Sequence, residues 1–351
     1  MDCLGRVHKG LARQVGSSRF VLAMQMAYRS ADSAGDQAVV GTPSKKSASG
    51  VGVFPGRPTQ LNAWINALRL HHWSKNVLIL MPLLLSHRFQ QWRVLASLKS
   101  FFAFSCCASA FYVFNDLLDI EADRVHPYKA TRPFASGRLN IRQGLILLTT
   151  CLAASIALAW MLPLSARIVL ILYALTNLSY SAGVKQIVFL DVLVLALLYT
   201  LRLLFGGAVE YIDVSFWTLA FSLFLFLGLA SLKRWTELLS LTERQGARLA
   251  RRGYMSSHLA TVRFLSQCSL YLSVVVLAFY VNSEAASMLY RYPQMLWLVC
   301  LLLLVWIRRV TLITSRGLMA EDPVLFAFKD LGSQLIAVLV IVLGALAVGS
   351  R

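Results

Sequence analysis

Residues 96–123 read ASLKSFFAFSCCASAFYVFNDLLDIEAD, an apolar run to about residue 118 whose end carries Asn115, Asp116, Asp119, Glu121 and Asp123. At 1.5 Å rise per residue, a helix over that run crosses the ~30 Å hydrocarbon layer of a bilayer with its acids at one surface. Similar runs follow along the chain. From Leu61 onward the sequence predicts nine spans, at about 64–85, 96–118, 142–162, 165–181, 187–208, 214–232, 264–282, 293–308 and 331–349. Composition agrees: 58% of the 351 residues are hydrophobic and 14% charged, against roughly 45–50% apolar and about 25% charged in soluble domains. An all-α, polytopic membrane domain over 61–351 is expected, preceded by a flexible basic tail over 1–60 in which Ser, Gly and Ala separate scattered Arg and Lys. The tail's apolar patch Phe20–Tyr28 holds a Gln, is short for a signal-peptide core and is followed by no clear small-residue cleavage site.

The basic residues are sorted by side. The connection 119–142 carries Arg124, Lys129, Arg132, Arg138 and Arg142, and 233–263 carries Lys233, Arg234, Arg244, Arg248, Arg251, Arg252 and Arg263. Lys185, Arg308, Arg309, Arg316 and Lys329 fall on the same side, whereas the opposite connections hold only Arg88, Arg93, Lys99, Arg167 and Arg291. The positive-inside rule therefore places the N-terminus and the acidic helix end in the cytoplasm. That asymmetry accounts for the formal charge of +18 without nucleic acid as a partner. The cysteines show no CxxC spacing and most lie within apolar runs, as packing residues do. Trp73, Trp92, Trp217 and Trp297 stand near span ends and read as interfacial anchors.

At about 100° per residue, Asn115, Asp119 and Asp123 share a helix face within an arc of roughly 80°, with Asp116 near the azimuth of Asp123 and Glu121 turned away. Carboxylates so placed repel one another and are costly at membrane depth unless a cation or water receives them. A hard dication with oxygen ligands fits, and Mg²⁺ commonly completes its shell with water and substrate phosphates. The simpler alternative is a solvated helix end whose acids pair with Arg124, Lys129 and Arg132. Against it, Asn115 and Asp116 lie inside the apolar run. His126, beside Pro127, reads as a loop residue.

The run Asn115-Asp116-x-x-Asp119-x-x-x-Asp123-Arg124, followed by Lys129, Arg132-Pro133 and Ser136-Gly137, resembles the first aspartate-rich motif of the UbiA superfamily of intramembrane transferases. The resemblance covers about 61–349 and implies nine helices around a central cavity. It also implies a metal-bound diphosphate substrate. In the usual members a second aspartate-rich motif follows the sixth span; here that position reads Lys233-Arg234-Trp235-Thr236-Glu237-Leu238. Positive-inside anchoring explains the two cations but not the missing acids. Leu68-Arg69-x-His71-His72-Trp73-Ser74-Lys75-Asn76, Tyr180-Ser181-x-Gly183-x-Lys185, Leu190-Asp191-Val192, Leu201-Arg202 and Glu321-Asp322-Pro323-Val324 are similar to the branch that joins phosphoribosyl diphosphate to a polyprenyl phosphate. A surplus of cations suits a cavity that takes two anionic substrates.

On that resemblance, Asn115, Asp119 and Asp123, assisted by Asp116, are the candidate catalytic and Mg²⁺-binding residues. Lys75, Lys129, Arg132, Lys185, Arg202, Lys233 and Arg234 are the candidate substrate-binding residues. Arg202, inside an apolar run, faces either the cavity or a buried acid such as Asp191. The implied reaction passes phosphoribose to the polyprenyl phosphate. Lys233 and Arg234 either hold the second phosphate or gate the cavity. A prenyltransferase acting on an aromatic acceptor shares the first motif. A transporter of an anionic lipid precursor also suits nine spans, although no internal repeat is evident and the acidic face would repel such a cargo unless metal were bound.

Overall fold

The computed structural model describes residues 60–86, 90–125, 129–243, 253–319 and 322–348. The expected tail, but for Gln60, lies outside the described residues, as do Arg88, His126, Arg244, Arg248, Arg251, Arg252 and Glu321. Every regular element among the described residues is helical: α1 (Gln60–Leu68), a 3-10 segment (Leu70–Leu80), α2 (Met81–Ser86), α3 (Gln91–Leu118), α4 (Ile120–Arg124), α5 (Ile141–Trp160), α6 (Leu164–Ala182), α7 (Leu190–Glu210), α8 (Phe216–Glu243), α9 (Leu259–Val281), α10 (Glu284–Leu289), α11 (Leu296–Ser315), α12 (Pro323–Lys329) and α13 (Leu331–Val348). Among the described residues eight helices are long and apolar enough to cross a bilayer, namely α3, α5, α6, α7, α8, α9, α11 and α13.

The expected first span is the difference. Residues 64–85 are not one helix but α1, the 3-10 segment and α2. The break is at Arg69, whose φ of 52° lies in the left-handed region, at a cost of about 1–3 kcal/mol for a residue with a side chain. The polar run from Arg69 to Asn76 explains it: these groups have no place on a lipid-facing helix, and the 3-10 winding turns several of them toward protein partners. Trp73 is one, since its indole nitrogen donates to Ser109 at 3.0 Å, so it packs inward where an interfacial anchor was expected. A second difference lies at α8, which extends past the expected end at 232, so that Lys233, Arg234 and Glu237 stand on a helix rather than in a loop.

Small residues on α3, including Ala103, Ser105, Cys107, Ala108, Ser109 and Ala110, are buried and let neighbouring backbones approach. Around them Phe104, Leu170, Tyr173, Leu201, Phe205 and Ile79 pack α3, α6, α7 and the 3-10 segment together. Gly206 marks the tightest point, because a Cβ there would lie 2.0 Å from the Ile79 carbonyl oxygen. A second core joins α8, α9, α11 and α13 through Leu232, Trp235, Leu270, Val299, Ile307 and Ala347. The outward faces remain apolar: Ile146, Ile156, Ile168, Leu175, Phe264, Val305 and Ile341 are all more than half exposed. So extensive an exposed apolar surface belongs in lipid, and the chain is an integral membrane protein.

Candidate active site

The acidic face is built first by the backbone. The Asn115 carbonyl accepts from the Asp119 amide at 3.0 Å, and the Asp119 carbonyl accepts from the Asp123 amide at 2.8 Å. Helical bonding thus continues through the junction of α3 and α4, stacking the three residues a turn apart. Ala63 and Ala67 of α1, with Phe134 and Leu139 of the following loop, pack on Val113 of α3. This packing sets Arg69 and Arg132 on Asp116.

Asp116 and Asp123 are both buried. Asp116 Oδ1 accepts from Arg69 at 2.5 Å and from Arg132 Nη1 at 3.1 Å, and the same Arg132 nitrogen lies 2.6 Å from Asp123 Oδ2. Asp119 Oδ2 is 3.6 Å from Lys185 Nζ. Arg124, weighed as a partner for these acids, instead donates to the Ala135 carbonyl at 3.3 Å. Lys129 stands within electrostatic reach of Asp123, Asp119 and Glu237, and burial together with the nearby Arg132 lowers its pKa below that of an ordinary lysine.

One positive nitrogen therefore already bridges Asp116 and Asp123, a position that a hard dication with oxygen donors fits once Arg132 turns away. Among the described residues no three His, Cys, Asp or Glu side chains are grouped so as to hold a metal ion by themselves. A cation held here would take much of its shell from water and from a bound phosphate, the habit of Mg²⁺.

A second charged centre lies between the 3-10 segment, α8 and the residue before α12. Lys75 Nζ and Lys233 Nζ meet the same oxygen, Asp322 Oδ2, at 3.0 and 2.9 Å, and Lys75 also lies 5.8 Å from the centre of the Tyr199 ring. Burial opposes ionisation of Asp322, but Lys233 and Lys75 outweigh it and hold the carboxyl well below the usual carboxylate range. Between the two centres stand Tyr112, whose ring lies 5.2 Å from the Arg69 guanidinium, and His72, whose ring centre is 5.3 Å from that of Tyr112. His72 Nδ1 is buried without a hydrogen-bond partner.

Arg202 and Arg234 sit deeper. Arg202 donates to Asn76 Oδ1 at 3.0 Å, the Leu198 carbonyl at 2.5 Å and the Tyr173 hydroxyl at 3.3 Å. Its guanidinium also lies 5.0–5.4 Å from the centres of the Phe104, Tyr173 and Tyr199 rings. Asp191 is not its partner. That carboxylate, fully buried, takes Arg234 at 2.7 Å and the Tyr254 hydroxyl at 2.5 Å, while Arg234 also meets Glu237 at 2.5 Å. The arrangement unites Asp116, Asp123 and Arg132 as one cluster, and Lys75 with Lys233 as another. Arg69 joins the first, Asp322 the second, and Glu237 the separate pair of Arg234 and Asp191, although the sequence did not single them out as site residues. Their signal was present only as membership in the quoted polar runs, without a helical period to mark their direction.

Residues 77–328 match the UbiA prenyltransferase family model. Among curated proteins, the chain is 32% identical over 288 residues to an uncharacterized protein of Sinorhizobium fredii, covering 82% of this chain but only 56% of that protein's length. It is 34% identical over 288 residues to nodulation protein NoeC of Azorhizobium caulinodans, covering 80% and 91% of the two chains. It is 33% identical over 222 residues to decaprenyl-phosphate phosphoribosyltransferase of Mycobacterium tuberculosis, covering 61% and 73%. Among solved structures, a UbiA homolog from Archaeoglobus fulgidus bound to GPP and Mg2+ shares the fold with a TM-score of 0.60 at 15% identity, over 82% of this chain and all of that one. With the family model spanning most of the chain and the helical architecture in agreement, this chain belongs to the UbiA prenyltransferase family.

Proposed function

We propose that the chain transfers phosphoribose from 5-phosphoribosyl 1-diphosphate to a polyprenyl phosphate in a bacterial inner membrane, at a site open to the cytoplasm. The observation that supports this reading is the presence of two separate clusters of basic side chains. One is the acidic face with Arg69, Arg132 and Lys185; the other is the lysine pair on Asp322. A donor with both a diphosphate and a phosphate, and an acceptor that is itself a phosphate, together call for more cationic groups than an aromatic acceptor does. Similarity to the mycobacterial phosphoribosyltransferase supports the same reading.

Asp116 and Asp123, with Asn115 and Asp119 on the same face, would hold Mg²⁺ against the diphosphate. The metal's contribution is to neutralise charge on the departing diphosphate. Arg132, displaced from its carboxylates, would donate to the diphosphate oxygens with Lys129 and Lys185, and Arg69 would keep Asp116 oriented. A lipid phosphate oxygen, already anionic, attacks ribose C1 as the C1–O bond to diphosphate breaks, and diphosphate leaves with the electron pair. No strong base is needed. Arg202, held by Asn76 and three rings, keeps the floor beneath Lys75 in shape.

The test is incubation of purified protein with labelled 5-phosphoribosyl 1-diphosphate, polyprenyl phosphate and Mg²⁺. Label should enter the organic phase and be lost when Mg²⁺ is removed. A prenyl group passing instead from a prenyl diphosphate to an aromatic acceptor would replace phosphoribosyl transfer with prenyl transfer. The GPP-bound structural neighbour favours that second reading.

A further inference from the structure

Among the described residues, the ion pairs at Asp322 set two ammonium groups on one carboxylate. Both ammonium groups converge on the same carboxylate oxygen; Lys75 and Asp322 are largely withdrawn from solvent, at 11% and 14% exposure, and Lys233 reaches in from a partly exposed position at 37%. Lys75, withdrawn from water with only a share of one counter-ion, carries a desolvation cost that a second anion at this point would relieve. The three groups also come from distant parts of the chain: the 3-10 segment, the extension of α8 and the residue before α12. Asp322 is bound lightly on its other side. Its Oδ1 caps α12 by accepting from the Val324 amide at 3.1 Å, a single local bond.

Two lysines around one oxygen are the donor set that recognises a phosphomonoester, a group with a higher charge and more acceptor oxygens than a carboxylate. We infer that Lys75 and Lys233 form a phosphomonoester seat that Asp322 fills as an internal stand-in, and that the substrate's phosphate displaces Asp322 and releases the start of α12. This deepens the proposed function and rests on it, because ribose 5-phosphate and a polyprenyl phosphate both present that group. Displacement sets a threshold on binding: only an anion stronger than a carboxylate takes the seat. If Asp322 holds the seat about nine-tenths of the time, apparent affinity is lowered about tenfold.

Asp322→Asn isolates the charge, since Asn caps a helix as well as Asp does. The measurement is equilibrium binding of ribose 5-phosphate and of geranyl phosphate to the full chain in detergent, alongside hydrogen exchange of residues 322–329 in the unaltered protein. The expected result is about tenfold tighter binding by the variant of one of the two probes, which identifies the source of the phosphate. Exchange at the start of α12 should rise when that probe binds the unaltered chain, because the cap on Val324 is lost. Unchanged or weaker binding of both probes by the variant, or exchange that falls on binding, overturns the inference. Should the variant fail to fold, the exchange arm decides alone. Failure of the phosphoribosyl reading is seen separately, as tightened geranyl phosphate binding in a protein that shows no binding of 5-phosphoribosyl 1-diphosphate.

Discussion

Replacing Arg234 with methionine keeps an unbranched side chain in the packing between α7 and α8 but removes the guanidinium that donates to Asp191 at 2.7 Å and to Glu237 at 2.5 Å. Asp191 and Arg234 are 0% and 1% exposed, so the carboxylate left behind has no water to receive it. The Tyr254 hydroxyl still donates to it at 2.5 Å, which offsets part of the loss. Removing one member of a buried pair costs about 3–5 kcal/mol, whereas replacing both with apolar groups is often neutral. Arg234→Met should therefore destabilise by about 3 kcal/mol, and the double variant with Asp191→Leu should recover most of that. The assay is denaturant unfolding in mixed micelles followed by tryptophan fluorescence, with both single variants and the double variant in one cycle. An additive cycle, or a single variant as stable as the parent, would refute the assignment of Arg234 as a structural cation. A raised KM at unchanged stability would return it to the substrate-binding set.

Asp119→Ala should lower turnover by at least about a hundredfold while leaving the unfolding midpoint nearly unchanged, because its 3.6 Å pair with Lys185 is partly solvated and worth at most about 1 kcal/mol. Retained turnover in the lipid-label assay would remove Asp119 from the catalytic face. Gly206→Ala places a methyl group 2.0 Å from the Ile79 carbonyl oxygen, and the overpacking should cost about 1–3 kcal/mol. Because Ile79 belongs to the segment that carries Lys75 and Asn76, phosphate affinity should fall with it in a binding titration. Asp330 accepts from Arg309 and from Ser333, which holds its carboxyl down to about 2. Its folded value lies below the unfolded one, so its contribution to stability is present above the ordinary carboxylate range and is lost as pH falls from about 4 toward 2. Asp330→Asn should flatten that limb of the midpoint-against-pH curve; an unchanged limb would assign it to other carboxylates.

Much of the membrane domain was legible in the residues themselves. Bilayer thickness fixes how long an apolar helix must be, so α3, α5, α6, α7, α8, α9, α11 and α13 could be located from run length, and the acids at the end of α3 could be assigned to one face from helical geometry alone. The aspartate-rich run by itself resembles the family's first motif.

What the sequence left open concerned direction and partnership. The polar run from Arg69 to Asn76 disfavours a lipid-facing helix but does not say where the chain turns, since the break is stabilised by groups far away, Asp116 for Arg69 and Asp322 for Lys75. The adjacent cations Lys233 and Arg234 looked equivalent on paper. On a helix, neighbours differ by about 100° in azimuth, and that rotation gives one of them the Asp322 carboxylate shared with Lys75 and the other a fully buried Asp191. Length and periodicity are properties of a single strand of residues and can be read from it. Which charge meets which is settled by packing between segments as much as 247 residues apart, and only the tertiary structure carries that information.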